Sequence, residues 1–266
     1  MSVRGLIGVV HLRAMPGDPA HRGGGFDDAL DAARRDAEAL VEGGVDAMIV
    51  ENFGSAPFPK GTPEQPTPPH HIACIALAVD ACAKLGVPVG VNVLRNDARA
   101  SLGIAAATGA EFVRVNVHVG AYVTDQGLIE GRAFESLRYR EQLDARDIAI
   151  LADVRVKHAT PLAPVPLGDE VRDALKRGLA DAVVVTGSGT GEPVSVDVLR
   201  AVRAAARGAT VVLGSGMTPD RRQLAAFADA AIVGTWLKRD GKVSAPVDAE
   251  RVRRLAGALE FASSGG

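Results

Sequence analysis

Cysteine is nearly absent from this chain: 266 residues carry two, Cys74 and Cys82. They lie eight apart within one helical pattern, about 12 Å along its axis, too far for a direct bridge. A disulfide framework is therefore excluded, and a reduced, cytoplasmic protein is expected. Aromatic residues make up only 4%, so the core must be built from Val, Ala, Leu and Ile, which suits parallel strands covered by helices on both faces. There is no strongly basic block, and the net charge is −2, which argues against nucleic acid as the main partner. No apolar run approaches the ~20 residues of a membrane span. The Gly5–Leu12 run is too short for a signal core and has no small-residue cleavage site before His11-Leu12-Arg13, so it is read as a strand.

What the chain does have is glycine, 30 residues of it, and a 47% hydrophobic content arranged in a repeating strand–helix pattern. Strands are expected at Gly5–His11, Ala47–Glu51, Val87–Leu94, Phe112–His118, Ile148–Val156, Ala182–Thr186, Thr210–Leu213 and Ala230–Val233. Helical periods lie between most of them. Capping residues such as Asp97 and Ser195 open helices, and Gly43, Gly86, Gly109 and Gly208 close them. Eight such units predict the α/β class and a (β/α)8 TIM barrel over residues 1–262, with residues 263–266 a disordered tail. An open doubly wound sheet is the rival, but the chain has no nucleotide fingerprint near its start. Three long loops, Met15–Gly25, Asn52–Pro69 and Gly120–Asp144, follow strands one, two and four. All three leave the end of the barrel where active sites are built. The proline-rich second loop reads as a lid or an oligomer contact, and Phe53, Phe58 and Ile72 could supply an apolar patch for a homo-oligomer.

The closing stretch carries the strongest chemical signal. Val211–Leu213 ends in Gly214-Ser215-Gly216 before a helical pattern opened by Thr218-Pro219-Asp220, and Ala230–Val233 ends in Gly234-Thr235. Glycine lets backbone N–H groups approach an anion, and a helix N-terminus adds free donors. In a barrel, the loops after strands seven and eight are where a phosphate sits. Gly187 and Ser188, in the Thr186–Gly191 loop after strand six, are expected to assist.

Strand four alternates strictly as Val113-Arg114-Val115-Asn116-Val117-His118. The valines gain by facing the helices, so Arg114, Asn116 and His118 are expected to point into the barrel. By the same rule Asp153, Arg155 and Lys157 of strand five face in, as does Asn92 of strand three. Asp153 should pair with Arg155 or Arg114, because buried charge is costly unless matched. A structural ion-pair network is the alternative role for the two arginines. His11 and Glu51 end strands one and two at the rim, where either could carry protons, as could His118. Lys157 could form a Schiff base or act as a fixed positive charge. His70-His71 is expected to start a helix rather than bind a ligand. No cofactor is called for. His11, Glu51, His118 and His158 are residue types that suit a divalent metal, but they show no compact ligand spacing.

These residues fall in stretches that resemble the BtpA/SgcQ family nearly end to end. They are GLIGVVHLRAMPGDP, IVENFGSAPF, VNVLRND, FVRVNVHVGAYVTDQGLIEG, ADVRVKHA, VVVTGSGTGEP, VLGSGMTPD and AIVGTWLKRDGK. The resemblance implies a barrel of the ribulose-phosphate-binding type. One family member is linked to photosystem I biogenesis and another to a sugar-uptake gene group. The closing glycine turns also resemble those of phosphoribosylanthranilate isomerase, which pairs a strand-one cysteine with a later aspartate. Here strand one ends in His11, and Asp153 has Arg155 and Lys157 as neighbours, which departs from that pattern. The expected function is an enzyme on a small phosphorylated sugar or nucleotide-derived substrate, working by isomerisation, retro-aldol cleavage or C–N cleavage. A non-catalytic assembly factor and a true phosphoribosylanthranilate isomerase are the alternatives.

Overall fold

The computed structural model describes residues 3–187 and 194–262. The expected tail, 263–266, lies outside them. The strands are β1 (Gly5–His11), β2 (Ala47–Glu51), β3 (Val89–Asn92), β4 (Phe112–Val115), β5 (Ala121–Thr124), β6 (Gly127–Glu130), β7 (Ala149–Val154), β8 (Ala159–Pro161), β9 (Ala182–Val185), β10 (Thr210–Leu213) and β11 (Ala230–Val233). The helices are α1 (Phe26–Gly43), α2 (Pro69–Ala83), α3 (Ala98–Thr108), α4 (Ala133–Gln142), α5 (Leu167–Arg172), α6 (Val196–Ala206) and α7 (Ala249–Ala256).

Eight parallel strands close in the order β1-β2-β3-β4-β7-β9-β10-β11, with β11 pairing back on β1. This is the TIM barrel that the alternating pattern predicts. The expected capping groups also act: the Asp97 carboxylate accepts from Ala100 N at 2.9 Å and the Ser195 hydroxyl from Val198 N at 3.3 Å. α1 ends one residue later than expected, with Gly44 rather than Gly43 in the left-handed conformation at φ 87°. The segment Pro219–Phe227 is wound as a tighter 3-10 helix.

Two apolar layers hold the barrel. One lies between strands and helices and includes Val10, Val50, Val91, Val113, Val115, Ala152 and Val154. The other fills the barrel interior with Ile7, Val9, Ile49, Phe112, Leu151, Val184, Val212 and Ile232. Phe112 reaches across because its neighbour on β3 is Gly90: a Cβ there would lie 2.1 Å from the Phe112 ring. Both cysteines are free and buried. Burial pushes the Cys74 thiol up to about 11 and Cys82 to about 12, so both stay protonated at neutral pH.

The long connection after β4 holds structure that period counting did not resolve. β5 and β6 form a hairpin, and β8 joins it from beyond β7, giving a three-stranded antiparallel sheet in the order β6-β5-β8. α4 follows as the expected helical half. Among the described residues, no helix is long and apolar enough to cross a membrane.

Candidate active site

The pleat that buries Ile7, Val9 and Ile49 inside the barrel also decides what stands at its mouth. Continuing the same alternation brings His11, Glu51 and Asn92 level with one another, since His11 pairs with Glu51 and Glu51 with Asn92 in the strand register. On β4 and β7 it brings in Arg114 and Asp153. On β10 and β11 the equivalent positions are Gly214 and Gly234. A Cβ at Gly214 would lie 2.5 Å from Thr186 Cγ2, and one at Gly234 would lie 2.6 Å from His11 Cε1. The rim therefore divides into a charged half and a glycine half.

In the charged half, Arg114 grips Asp153 with two parallel bonds, Nε to Oδ1 at 2.8 Å and Nη2 to Oδ2 at 2.9 Å. Asn116 Nδ2 donates to the same Oδ2 at 2.9 Å. Burial alone would lower the Arg114 pKa, but the Asp153 carboxylate raises it, so Arg114 is a permanent cation. Burial pushes Glu51 above the ordinary carboxylate range, only partly offset by Arg114, Lys157 and a bond from Asn92 Nδ2 at 3.3 Å. Lys157 moves the other way: burial and then Arg114 lower its pKa, against Glu51 and Asp153. The two shifts run in opposite directions, Glu51 up and Lys157 down, because burial disfavours the charged form of each. His11 is lowered to about 3 by burial, Lys238 and Lys157. At neutral pH this favours the uncharged imidazole, which packs against Phe53 with ring centroids 4.7 Å apart and the planes tilted by 41°.

These groups surround two connected cavities. One, of about 230 Å³, lies over the glycine half and is lined by His11, Gly214, Ser215, Gly216, Gly234, Thr235 and Trp236. The other, of about 440 Å³, lies over β2, β3 and β4 and is lined by Asn92, Arg95, Asn116, Phe58, Asp125 and His158. Glu51, Phe53, Arg114 and Lys157 line both. The loop after β2 supplies Phe53 and Phe58 and so lies over the mouth. It is tied to the first loop by Asp18, which accepts from Ser55 Oγ at 2.8 Å and lies 3.4 Å from His71 Nε2.

Of the residues expected at the site, His11, Glu51, Asn92, Asn116, Lys157, Gly214, Ser215, Gly216, Gly234 and Thr235 line these cavities. Asp153 sits beneath them as the partner of Arg114. Gly187 N donates to Ser215 Oγ at 3.0 Å, so it stands next to the glycine turn. Ser188 lies outside the described residues.

Two orientations need correction. Asn96 takes both the N–H and the carbonyl of Val117, at 2.8 and 2.9 Å, so β4 ends at Val115 and the chain swings outward. His118 consequently points away from the mouth, with Nε2 2.8 Å from the carbonyl of Gly178. Arg155 adopts φ 54°, which breaks the alternation after Val154. It turns out to the exposed side and faces Glu170 at 3.6 Å, and Lys157 returns inward two residues later. Arg95 was missed. It is buried, lines the larger cavity, and donates to the Lys157 carbonyl at 2.7 Å, fixing the segment that carries the lysine. The only sequence signal for it was a charged residue directly after an inward-facing strand. Among the described residues, no group of three or more His, Cys, Asp or Glu could hold a metal ion.

A closed eight-stranded parallel barrel with its polar side chains gathered at one rim is a TIM barrel. Solved structures bear the fold out. A tryptophan synthase chain from M. tuberculosis superposes with TM-score 0.61 at 17% identity, covering 97% of this chain and 94% of that one. KGPDC from Streptococcus mutans gives 0.58 at 11% identity, covering 97% of each chain. Phosphoribosyl anthranilate isomerase from Thermus thermophilus gives 0.52 at 16%, covering 96% and 97%.

The chain belongs to the BtpA family, whose model matches residues 2–260. Photosystem I biogenesis protein BtpA of Synechocystis is 46% identical over 256 residues, 96% of this chain and 87% of that protein. An uncharacterized protein of Thermococcus kodakarensis is also 46% identical, covering 94% of this chain and 93% of its own length.

Proposed function

We propose that this protein is an enzyme acting on a small phosphorylated sugar, with the phosphate held by the glycine half of the rim and the reacting carbons over the charged half. The observation that carries this reading is the pair of joined cavities with four shared wall residues, Glu51, Phe53, Arg114 and Lys157. Gly214, Ser215, Gly216, Gly234 and Thr235 offer backbone and hydroxyl donors to the anion. Glu51 supplies a proton to a substrate oxygen, and the Lys157 amine accepts one from carbon or adds to a carbonyl. Arg114, a cation held beside the reacting carbons, steadies developing negative charge. Isomerisation and lyase chemistry both begin with such a proton movement beside a carbonyl. The barrel neighbours support the substrate class: alongside the phosphoribosyl anthranilate isomerase stands a 2-keto-3-deoxy-6-phospho-gluconate aldolase from Zymomonas mobilis, and both names carry a phosphorylated sugar derivative.

The test is a thermal-shift screen of pentose, hexose and keto-acid phosphates, with inorganic phosphate alongside. A ligand at a hundred times its Kd adds about 2.7 kcal/mol of stability. The expected result is a shift in the wild type that Thr235→Asp loses and Lys157→Met keeps, with Lys157→Met unable to turn the compound over. Thr235→Asp is the cleaner block, because any side chain at Gly214 collides with Thr186 and Val184. If no phosphorylated compound shifts the wild type, this reading fails, and a non-catalytic assembly role takes its place.

A further inference from the structure

Next to the catalytic cavities lies a larger one of about 700 Å³, enclosed by the loop after β1, helix α1 and the segment after β11. His11 and Phe53 belong to its wall as well as to the phosphate-side cavity. Its floor carries a neutralised pair: Lys238, 1% exposed, is bound to Asp36, whose other oxygen accepts from Val247 N at 2.7 Å. Around that floor stand Arg13, Arg35 and Arg239. No described carboxylate lies within ion-pairing distance of any of these guanidinium groups, whereas Arg34, Arg132, Arg146, Arg172 and Arg253 each have such a partner. Among the described residues, Asp36 is the only acidic one lining the cavity, and Lys238 already occupies it. The wall therefore carries an excess of positive charge on a chain whose net charge is −2.

We infer that this cavity is a second binding site, for a small molecule bearing two or more phosphate or carboxylate groups. Three guanidinium groups on separate elements line one cavity, and the planar guanidinium fork matches phosphate and carboxylate bidentately. The volume is that of a typical small-molecule site. Because His11 and Phe53 form part of both walls, a ligand here stands beside the catalytic cavity. It is placed to act as a co-substrate or to alter the site through His11. An anion next to His11 also opposes the Lys238 and Lys157 charges that add to burial in lowering its pKa.

Calorimetric titration with inorganic pyrophosphate and with citrate separates the sites, the two probes distinguishing phosphate from carboxylate ligands. Thr235→Asp closes the glycine turns to anions, so binding that survives in it belongs to the arginine cavity. The expected result is that Thr235→Asp still binds at least one probe. Adding Arg35→Glu and Arg239→Glu, both at exposed positions, should weaken that binding about tenfold or more, the scale of lost charge-assisted hydrogen bonds. Arg35→Gln with Arg239→Gln gives the same direction without charge reversal, and circular dichroism confirms folding. The inference is overturned if Thr235→Asp binds neither probe, or if the arginine variants bind as tightly as their parent. Equal binding by wild type and Thr235→Asp, lost in the arginine variants, would support this site while removing support for the phosphate grip.

Discussion

The Arg114–Asp153 pair offers the sharpest quantitative test of the barrel mouth. Its side chains are 9% and 1% exposed, and the two bonds between them are 2.8 and 2.9 Å long. Replacing Arg114 by Met keeps most of the side-chain volume but leaves a buried carboxylate held by Asn116 Nδ2 alone. Breaking a buried pair in this way costs about 3–5 kcal/mol. For a chain of this size each kcal/mol moves the melting temperature by about 2–4 °C, so Arg114→Met should melt roughly 6–20 °C below the wild type at pH 7. Removing both charges, as Arg114→Met with Asp153→Leu, should recover much of that loss, because well-packed apolar residues replace a buried pair at little cost. The remaining deficit comes from Asn116, whose amide loses its partner at about 1–3 kcal/mol. Calorimetric melting of wild type, both single variants and the double variant completes the cycle and yields the coupling energy. A loss below about 1 kcal/mol for Arg114→Met would refute the reasoning, since that is the behaviour of a solvated surface pair.

Glu51 has its pKa raised in the fold, so its contribution to stability is complete below the ordinary value and is lost as pH rises through the folded one. Glu51→Gln, which still accepts from Asn92, should therefore raise the melting temperature at neutral pH while abolishing turnover. His11 behaves oppositely: its pKa falls from 6.5 to about 3, so the stability it confers is present above 6.5 and lost progressively on acidification toward 3. In melting scans over that range His11→Gln should show a shallower decline than the wild type, and parallel curves would contradict the burial assigned to the ring. Gly90→Ala forces a methyl to within 2.1 Å of the Phe112 ring in the barrel interior and should cost about 1–3 kcal/mol, the usual range for overpacking. Urea unfolding should show Phe112→Leu relieving part of that loss, and additive effects would disprove the clash.

How much of this was legible in the sequence depends on how local each feature is. The eight strands were readable because period-2 alternation and apolar runs act between chain neighbours. The same rule placed Asn92, Arg114 and Asp153 inside the barrel and the glycine turns at its rim. Glu51 and His11 came into view as the polar ends of apolar strands. His118 and Arg155 were misplaced because alternation holds only while the strand does. Asn96, 21 positions away, ends β4 by taking the Val117 backbone, and a left-handed residue re-phases the chain after β7. The β5–β8 pairing joins Val123 to Thr160, a contact that no local pattern announces. The choice of Arg114 over Arg155 as the partner of Asp153 required both strand ends to be in place. The arginine cavity likewise gathers Arg13, Arg35 and Arg239 from three separate elements. The sequence by itself determined which residues lie on inward faces as far as each strand runs, because burial of apolar surface acts residue by residue along a strand. Only the tertiary structure decided which charges meet and what space they enclose, because Coulomb forces and cavities depend on distances between parts of the chain far apart in sequence.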